Sequence, residues 1–163
     1  MKRITAISLM LAFLVSPSLL GTTHASAGVV YAEVVSVVDG DTIKVRVDGK
    51  TETVRLIGID TPETKKPGTP IQCWGVEATK AATKLLKGAT VTLTTDKVAG
   101  NRDRWGRMLR YVSVKGRDVG QVLLQGGHAR SYAYKNQKYS RRSLYEKVEH
   151  VSKRENRGLW GSC

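Results

Sequence analysis

The sequence predicts an α+β fold in which five strands close a barrel and three helices pack around it. Alternation of apolar and polar side chains marks three consecutive segments in the first half of the chain. A segment with helical periodicity follows, and two further strand-like segments and two helical segments come after it. This order of elements is typical of one barrel domain with its helices attached.

The first three strands are predicted at 29–38, 42–47 and 51–59, which are rich in Val and Ile. An Asp-Gly-Asp turn at 39–41 joins the first strand to the second. An Asp-Gly pair at 48–49 joins the second strand to the third, and this pair is a strong signal for a short hairpin. The three strands should therefore form an antiparallel meander.

Three helices are predicted by period and by their end signals. Apolar residues recur at helical spacing over 76–86, and Gly88 ends this helix. Asp118 can cap a second helix that runs through Gln125 and stops at a Gly-Gly pair. A last helix is predicted at about 140–156 on the same apolar spacing.

Two more strands are predicted at 90–95 and 108–114, separated by a polar loop at 96–107. A proline-containing loop at 61–72 precedes the first helix. Three strands, a helix and two strands in this order are typical of an OB-fold, a five-stranded barrel whose groove suits oligonucleotides. The fold alone does not predict chemistry, because many OB domains only bind.

The N-terminus is typical of a signal peptide, predicted at 1–27. A cationic start precedes a mostly apolar run at 4–20, and Ala-Ser-Ala at 25–27 supplies small residues for cleavage. The alternative is an uncleaved membrane anchor, but Ser-Pro-Ser at 16–18 interrupts a run that is already short for a spanning helix. The domain left after cleavage, 28–163, is the size of a single domain, and we expect an exported, periplasmic or secreted protein.

The chain is strongly basic. It carries 27 Lys and Arg against 14 Asp and Glu, a formal net charge of +13, and loss of Lys2 and Arg3 with the tag lowers this only slightly. Such a surplus favours a polyanionic partner, because basic side chains speed encounter with nucleic acid and release its counterions. Charge alone leaves an anionic membrane or cell wall as alternatives.

Two short segments concentrate acidic residues. Asp41 closes the first hairpin, and Asp60 and Glu63 follow the third strand. If the strands pair as predicted, these three side chains converge at one end of the sheet, where carboxylate oxygens suit calcium or magnesium. Each aspartate alone would be interpreted as ordinary turn chemistry. Their predicted convergence favours a metal site.

Two arginines complete a candidate site. Arg55 lies in the third strand, and Arg107 ends the Asp-Arg-Trp-Gly-Arg segment at 103–107. A guanidinium can grip a phosphate through two hydrogen bonds and stabilise the charge of a phosphoryl transition state. Either arginine alone could be a structural ion pair or a solvated charge. Acids, arginines and a basic surface together favour phosphoryl chemistry.

The two cysteines, Cys73 and Cys163, suggest a disulfide if the protein is exported. The cross-link would pin the C-terminus near the start of the first helix. Two free thiols are the alternative, since the sequence gives no distance between the residues.

Four separated motifs, at 38–42, 54–64, 74–78 and 103–107, resemble the staphylococcal nuclease (thermonuclease) family in order and spacing. The resemblance extends over nearly the whole of 28–163. It implies a calcium-dependent endonuclease, active on DNA and RNA, that breaks the bond to the 5′ oxygen and leaves 3′-phosphate ends.

The resemblance also implies a set of metal-site residues. Asp41 and Asp60 correspond to the Ca²⁺ carboxylates, and Thr61 to the residue whose backbone carbonyl is a further ligand. Asp39 resembles an acid placed behind these ligands, which orients them. Glu63 resembles the general base, or the group that orients the attacking water.

Further residues are expected at the substrate. Arg55 and Arg107 resemble the catalytic phosphate clamps, and Arg104 is expected to contact the substrate beside them. Tyr132 and Tyr134 resemble paired tyrosines that line a nucleotide pocket, and they are predicted on one face of an extended segment. The alternative interpretation is that these two tyrosines are surface aromatics in a strand.

The chain departs from the family at three places: the segment with the paired tyrosines is displaced by one residue, the loop 65–72 differs, and Trp105 stands where a tyrosine is common. Two other functions remain as alternatives. One is a binding module of the same fold that has lost the catalytic groups, and the other is a cationic surface-binding protein. The intact acids and arginines favour a nuclease, which we expect to be monomeric, to act on DNA and RNA, and to associate with no membrane after cleavage.

Overall fold

The computed structural model describes residues 29–65 and 67–163, so the predicted signal peptide at 1–27 lies outside the described residues. The strands in these ranges are β1 Val29–Val37, β2 Thr42–Val47, β3 Lys50–Leu56, β4 Ile59–Asp60, β5 Thr90–Thr94, β6 Met108–Val114, β7 Arg117–Asp118 and β8 Arg130–Ser131. The helices are α1 Gly75–Leu86, α2 Val119–Gln125, α3 Arg142–Arg154 and α4 Leu159–Ser162, with a 3-10 turn at Tyr134–Asn136.

Five of these strands close the predicted barrel. Their order is β3-β2-β1-β5-β6, with antiparallel pairing between neighbours. The barrel closes through a parallel pairing of β3 with β6, in which Val54 lies opposite Met108. With α1, α2 and α3 as its main helices, the described chain confirms the five-stranded OB-fold barrel with three helices.

The core lies inside the barrel and beneath the helices. Alternate residues of the central strands point inward, as the two-residue period requires. The largest fully buried side chains come from strands and helices alike and are Tyr145, Ile43, Ile59, Leu86, Leu93, Leu123, Leu124, Val45, Val54, Val91, Val112 and Val119. Burial of these side chains is the main favourable term that holds the barrel together.

The third strand is shorter than predicted, and its last part forms a separate strand. β3 ends at Leu56, the chain turns at Ile57 and Gly58, and β4 pairs with β8 instead. Gly58 has a φ of 80°, and an added Cβ there would lie 2.5 Å from the Tyr139 ring. Glycine at this position therefore permits both the turn and the close packing of the ring.

The second helix begins as predicted, because the Asp118 side chain accepts a hydrogen bond from the Gln121 N–H. The third helix is a little shorter than predicted, since α3 spans Arg142–Arg154. Among the described residues, no helix combines the length and apolar character needed to cross a membrane.

Cys73 and Cys163 form a disulfide, with their Cα atoms 6.0 Å apart. The bond joins the residue just before α1 to the end of the chain. The predicted cross-link is therefore confirmed.

Candidate active site

A cavity of about 1030 Å³ opens where β2 and β6 begin and β3 ends. All ten residues that the sequence assigns to metal, catalysis or substrate line this cavity: Asp39, Asp41, Arg55, Asp60, Thr61, Glu63, Arg104, Arg107, Tyr132 and Tyr134. The acidic segments therefore converge at one end of the sheet, as expected.

The turn between β1 and β2 fixes the first carboxylates. Asp41 is only 5% exposed, and its backbone N–H donates to Asp39 Oδ1 at 3.2 Å. The Thr42 hydroxyl donates to Asp41 Oδ1 at 3.0 Å, and the Leu56 N–H donates to the Asp41 carbonyl oxygen at 2.9 Å. These bonds hold Asp41 against the end of β3 with its second oxygen turned towards Thr61.

Thr61 brings the second acidic segment against the first. Its N–H donates to Asp41 Oδ2 at 2.9 Å, and its hydroxyl lies 3.3 Å from the same oxygen. Close approach is possible because residue 40 is glycine: an added Cβ at Gly40 would lie 2.7 Å from the Thr61 side chain. Gly40 is therefore needed for contact between the two segments.

Arg55 lies between the two carboxylates. Its Nη2 is 3.1 Å from Asp41 Oδ2 and 2.8 Å from Asp60 Oδ1. Its Nη1 donates to the carbonyl oxygens of Leu56 and Ile59 at 2.9 and 2.7 Å. The turn after β3 thus wraps around the guanidinium and brings Asp41 and Asp60 to the same nitrogen.

Asp41 is buried, Asp39 is half-buried and Asp60 is exposed, and Arg55 is the cation that contacts Asp41 and Asp60. Burial, and next the charge of Asp41, raise the pKa of Asp39 to about 6. Burial also raises the pKa of Asp60, although the neighbouring Arg55 opposes that shift. Hard carboxylate oxygens that repel one another in a half-enclosed cavity suit a hard divalent cation. The residues present therefore fit such an ion.

Glu63 lies on the loop after β4, and its carboxylate has one anchored oxygen. Oε1 accepts hydrogen bonds from the backbone N–H groups of Thr64 and Lys65, both at 2.8 Å. In the described part of the chain, Oε2 has no hydrogen-bond partner. This oxygen is thus available to a molecule in the cavity.

Arg107 is oriented by an acid that was not among the predicted residues. Asp103 Oδ2 accepts from Arg107 Nε at 2.6 Å, and Oδ1 accepts from the backbone N–H groups of Arg107 and Trp105, both at 3.0 Å. The terminal nitrogens of Arg107 have no hydrogen-bond partner within the described ranges. Both residues lie in an irregular loop, where a spacing of four residues does not by itself predict a contact, so the sequence offers no signal for this pair.

Trp105 stands at the rim of the cavity and is 63% exposed. The Arg104 guanidinium carbon is 4.1 Å from the centre of its ring, and that of Arg107 is 5.0 Å away. Such cation–π contacts stabilise both guanidinium groups beside the indole. Arg104 therefore lies at the rim, where the sequence-based expectation puts a substrate contact.

Tyr132 and Tyr134 are 42% and 41% exposed and line the same cavity as the acids of the β1–β2 turn. The prediction of one extended segment is wrong at Tyr134, where the 3-10 turn begins. Lys135 and Asn136 have φ values of 46° and 58°, so the chain bends back there. Both rings remain at the cavity although they do not share a strand face.

Comparison with known proteins identifies the family. The model of the family described as staphylococcal nuclease homologue matches residues 53–162. The chain is 43% identical over 125 residues to the SPbeta prophage-derived endonuclease YokF of Bacillus subtilis, covering 76% of this chain and 41% of that protein. It is 46% identical over 104 residues to the endonuclease YncB of the same organism, covering 63% of this chain and 49% of that protein.

The chain thus spans less than half the length of these two relatives. Its match to the thermonuclease of Staphylococcus hyicus is fuller, at 38% identity over 131 residues, which is 80% of this chain and 75% of that protein. The barrel and the cavity are consistent with the family model and with these relatives. The chain belongs to the staphylococcal nuclease family.

Proposed function

We propose that the chain is a calcium-dependent endonuclease that hydrolyses the phosphodiester bonds of both DNA and RNA and leaves 3′-phosphate ends. The observation that carries this proposal is the meeting of Asp41, Asp60, Arg55, Glu63 and Arg107 at one cavity. Membership of the staphylococcal nuclease family supports it. A binding module that had lost its chemistry would have no need to keep this combination.

We propose that calcium is held by the carboxylates of Asp41 and Asp60 and the backbone carbonyl of Thr61, with water at the remaining positions. Within residues 29–65 and 67–163, no group of three or more His, Cys, Asp or Glu side chains forms a metal cage. Few protein ligands and several waters are therefore expected. When bound, the ion supplies positive charge to the phosphate and to the attacking water.

The protein's own side chains carry out the remaining steps. Glu63 holds the attacking water and takes its proton through the oxygen that is not engaged with Thr64 and Lys65. Arg107 offers two terminal nitrogens to the phosphate, and Arg55 faces it from the acidic side of the cavity. Both stabilise the additional charge that develops on the phosphate oxygens as the water oxygen bonds to phosphorus. The bond from phosphorus to the 5′ oxygen then breaks, and that oxygen takes a proton from solvent to leave a 5′-hydroxyl and a 3′-phosphate.

Aromatic rings and a positive charge bind the parts of the substrate that lie outside the reacting phosphate. Tyr132 and Tyr134 offer exposed faces on which bases can stack, and Arg104 offers a cation at the rim. Stacking and phosphate contacts do not depend on a 2′-hydroxyl, because every base has a π-face and both backbones carry phosphates. These contacts support action on both DNA and RNA.

The test is a digest of 5′- and 3′-labelled single strands of DNA and RNA. We expect cleavage of both with calcium, products that end in 3′-phosphate, and loss of activity with a chelator. Parallel reactions with magnesium, manganese and zinc identify the preferred ion. Products with 5′-phosphate ends would contradict the proposed bond polarity, and binding without cleavage in every ion would reduce the chain to a binding module.

We also propose that residues 1–27 are a signal peptide and that the exported domain acts as a monomer. The apolar run and the small residues before position 28 support the first part. Mass spectrometry of the exported protein should give a chain that begins at Gly28, and light scattering should give the mass of one copy. An intact N-terminus in the exported protein would contradict cleavage, and the mass of two copies would contradict a monomer.

A further inference from the structure

Two hydrogen bonds join Gln72 to the peptide groups of Glu63. The Glu63 N–H donates to Gln72 Oε1 at 2.9 Å, and the Gln72 N–H donates to the Glu63 carbonyl oxygen at 3.0 Å. One residue therefore binds the backbone of Glu63 on both sides of its Cα. These bonds close the base of the exposed loop that runs between the two residues.

Gln72 is itself firmly held. Its carbonyl oxygen accepts from the Gly75 N–H at 3.0 Å, at the start of α1, and its neighbour Cys73 is cross-linked to Cys163. Gly75 packs tightly against the other side of the loop, where an added Cβ would lie 2.7 Å from Thr64 Cγ2 and 3.1 Å from the Glu63 carbonyl oxygen. Gln72 thus connects Glu63 to the disulfide and to the first helix.

We propose that Gln72 is a positioning residue for Glu63 in the reaction, an inference that rests on the proposed function. The Glu63 carboxylate takes its direction from the backbone, because Oε1 binds the N–H groups of the next two residues. A backbone held at Glu63 therefore fixes the free oxygen relative to the cavity. Without the side-chain bond, the Glu63 N–H loses the acceptor that holds it.

A substitution at Gln72 can remove the hydrogen bond of its side chain and leave the backbone hydrogen bond to Glu63 in place. Gln72→Met removes the acceptor at nearly constant length, whereas Gln72→Glu keeps an oxygen acceptor at the same place. Gln72→Met should lower kcat at least about tenfold with little change in KM, because small misplacement of a reacting group costs rate more than binding. Gln72→Glu should recover most of that loss. Ile71→Ala is the matched control, since Ile71 is 61% exposed in the same loop.

A double-mutant comparison separates positioning from a general structural effect. In a Glu63→Gln background, Gln72→Met should cost almost nothing further, because the group it positions no longer accepts a proton. If Gln72→Met lowers the residual rate by the same factor in both backgrounds, Gln72 does not act through Glu63 and the proposal fails.

Amide hydrogen exchange gives a test that does not need activity. The Glu63 N–H should be protected in the wild-type protein, should exchange faster in Gln72→Met, and should regain protection in Gln72→Glu. Unchanged exchange in Gln72→Met would overturn the positioning role. If these changes in exchange are seen but the wild-type protein does not cleave nucleic acid, the proposed function is wrong and the contact between Gln72 and Glu63 still stands.

Discussion

Arg55 and Arg107 are held in the cavity by different partners, and their loss should have different consequences. Arg55 contacts two carbonyl oxygens and two carboxylates, whereas Arg107 is held by Asp103 and by the Trp105 ring. Arg55→Ala and Arg107→Ala should each lower kcat about 100-fold or more, because one removed transition-state donor typically costs that much.

Only Arg55→Ala should also lower the melting temperature clearly, since it takes a donor away from the carbonyl oxygens of the buried residues Leu56 and Ile59. Steady-state kinetics and thermal unfolding of both variants measure the two effects. Arg117→Ala on the exposed strand β7 is the control for loss of one positive charge. An unaltered rate in either cavity variant would remove that arginine from the mechanism.

For single residues, the sequence predicted the charged groups of the site but not the residues that position them. Asp41, Asp60 and Arg55 could be predicted because each lies at a strand end whose neighbours the hydrophobic pattern defines. Asp103 and Gln72 could not, because their roles depend on hydrogen bonds made by irregular loops. Loop conformation is set by such local bonds and by packing, which periodicity does not report.

Among the elements, the contact between the β1–β2 turn and Thr61 is sensitive to added volume. Gly40→Ala places a Cβ where Thr61 side-chain atoms lie 2.7 Å away, so the two acidic segments must separate. We expect a higher calcium concentration for half-maximal rate, measured by titration of the ion against hydrolysis. Ser36→Ala, at an exposed position of β1, should leave the titration unchanged. An unchanged titration for Gly40→Ala would show that the contact does not set ion affinity.

A second junction joins the loop after β5 to the start of α3. Asp96 accepts from the Tyr111 hydroxyl and from the N–H groups of Ser140, Val98 and Ala99. Burial opposes ionisation of this carboxyl, but the four hydrogen bonds outweigh it and lower its pKa from 3.8 to about 2. The ionised form is therefore favoured by folding.

Because the folded pKa is depressed, Asp96 contributes stability above about pH 4, and that contribution is lost as the pH falls towards 2. We expect the free energy of unfolding of Asp96→Asn to lie below that of the wild type at pH 6. The gap should shrink by about 2 kcal/mol on acidification to pH 2. Urea unfolding of both proteins across this range measures the gap. A gap independent of pH would contradict the ionised Asp96.

The elements themselves followed largely from periodicity and turn residues. The break after β3 did not, since apolar residues continue through Ile57 and Ile59 while Gly58 turns the chain. The 3-10 turn at Tyr134–Asn136 was missed for a similar reason, because two tyrosines spaced by two residues are also typical of a strand. In both cases tertiary contacts override the local pattern.

For the whole molecule, the disulfide is a separable contribution to stability. The Cys73–Cys163 bond spans 90 residues and so restricts most of the unfolded chain. In the chain-entropy description, such a loop is worth about 4 kcal/mol. Cys73→Ser with Cys163→Ser should lower the free energy of unfolding by up to that amount, measured by urea unfolding. Equal stability of the double variant and the oxidised wild type would contradict this role.

The barrel as a whole was predictable because each strand, turn and helix cap agrees with the same topology. Asp-Gly at 48–49 closes the β2–β3 hairpin, and Asp118 caps α2. Agreement between local signals and the global fold is what allows a sequence to specify one structure. The closing pair of β3 with β6 is parallel and distant in sequence, so the order of elements predicts it only through the fold class.

Asp41 and Asp60, which we propose hold a calcium ion beside the arginines that grip the scissile phosphate, are the residues on which hydrolysis should depend. The decisive experiment is a calcium titration of the hydrolysis of end-labelled single-stranded DNA, with wild type and Asp41→Asn side by side. We expect cleavage by the wild type that rises from zero with calcium, and little or no cleavage by Asp41→Asn at the same concentrations. Equal titration curves for the two proteins, or full activity of the wild type in excess chelator, would contradict the claim.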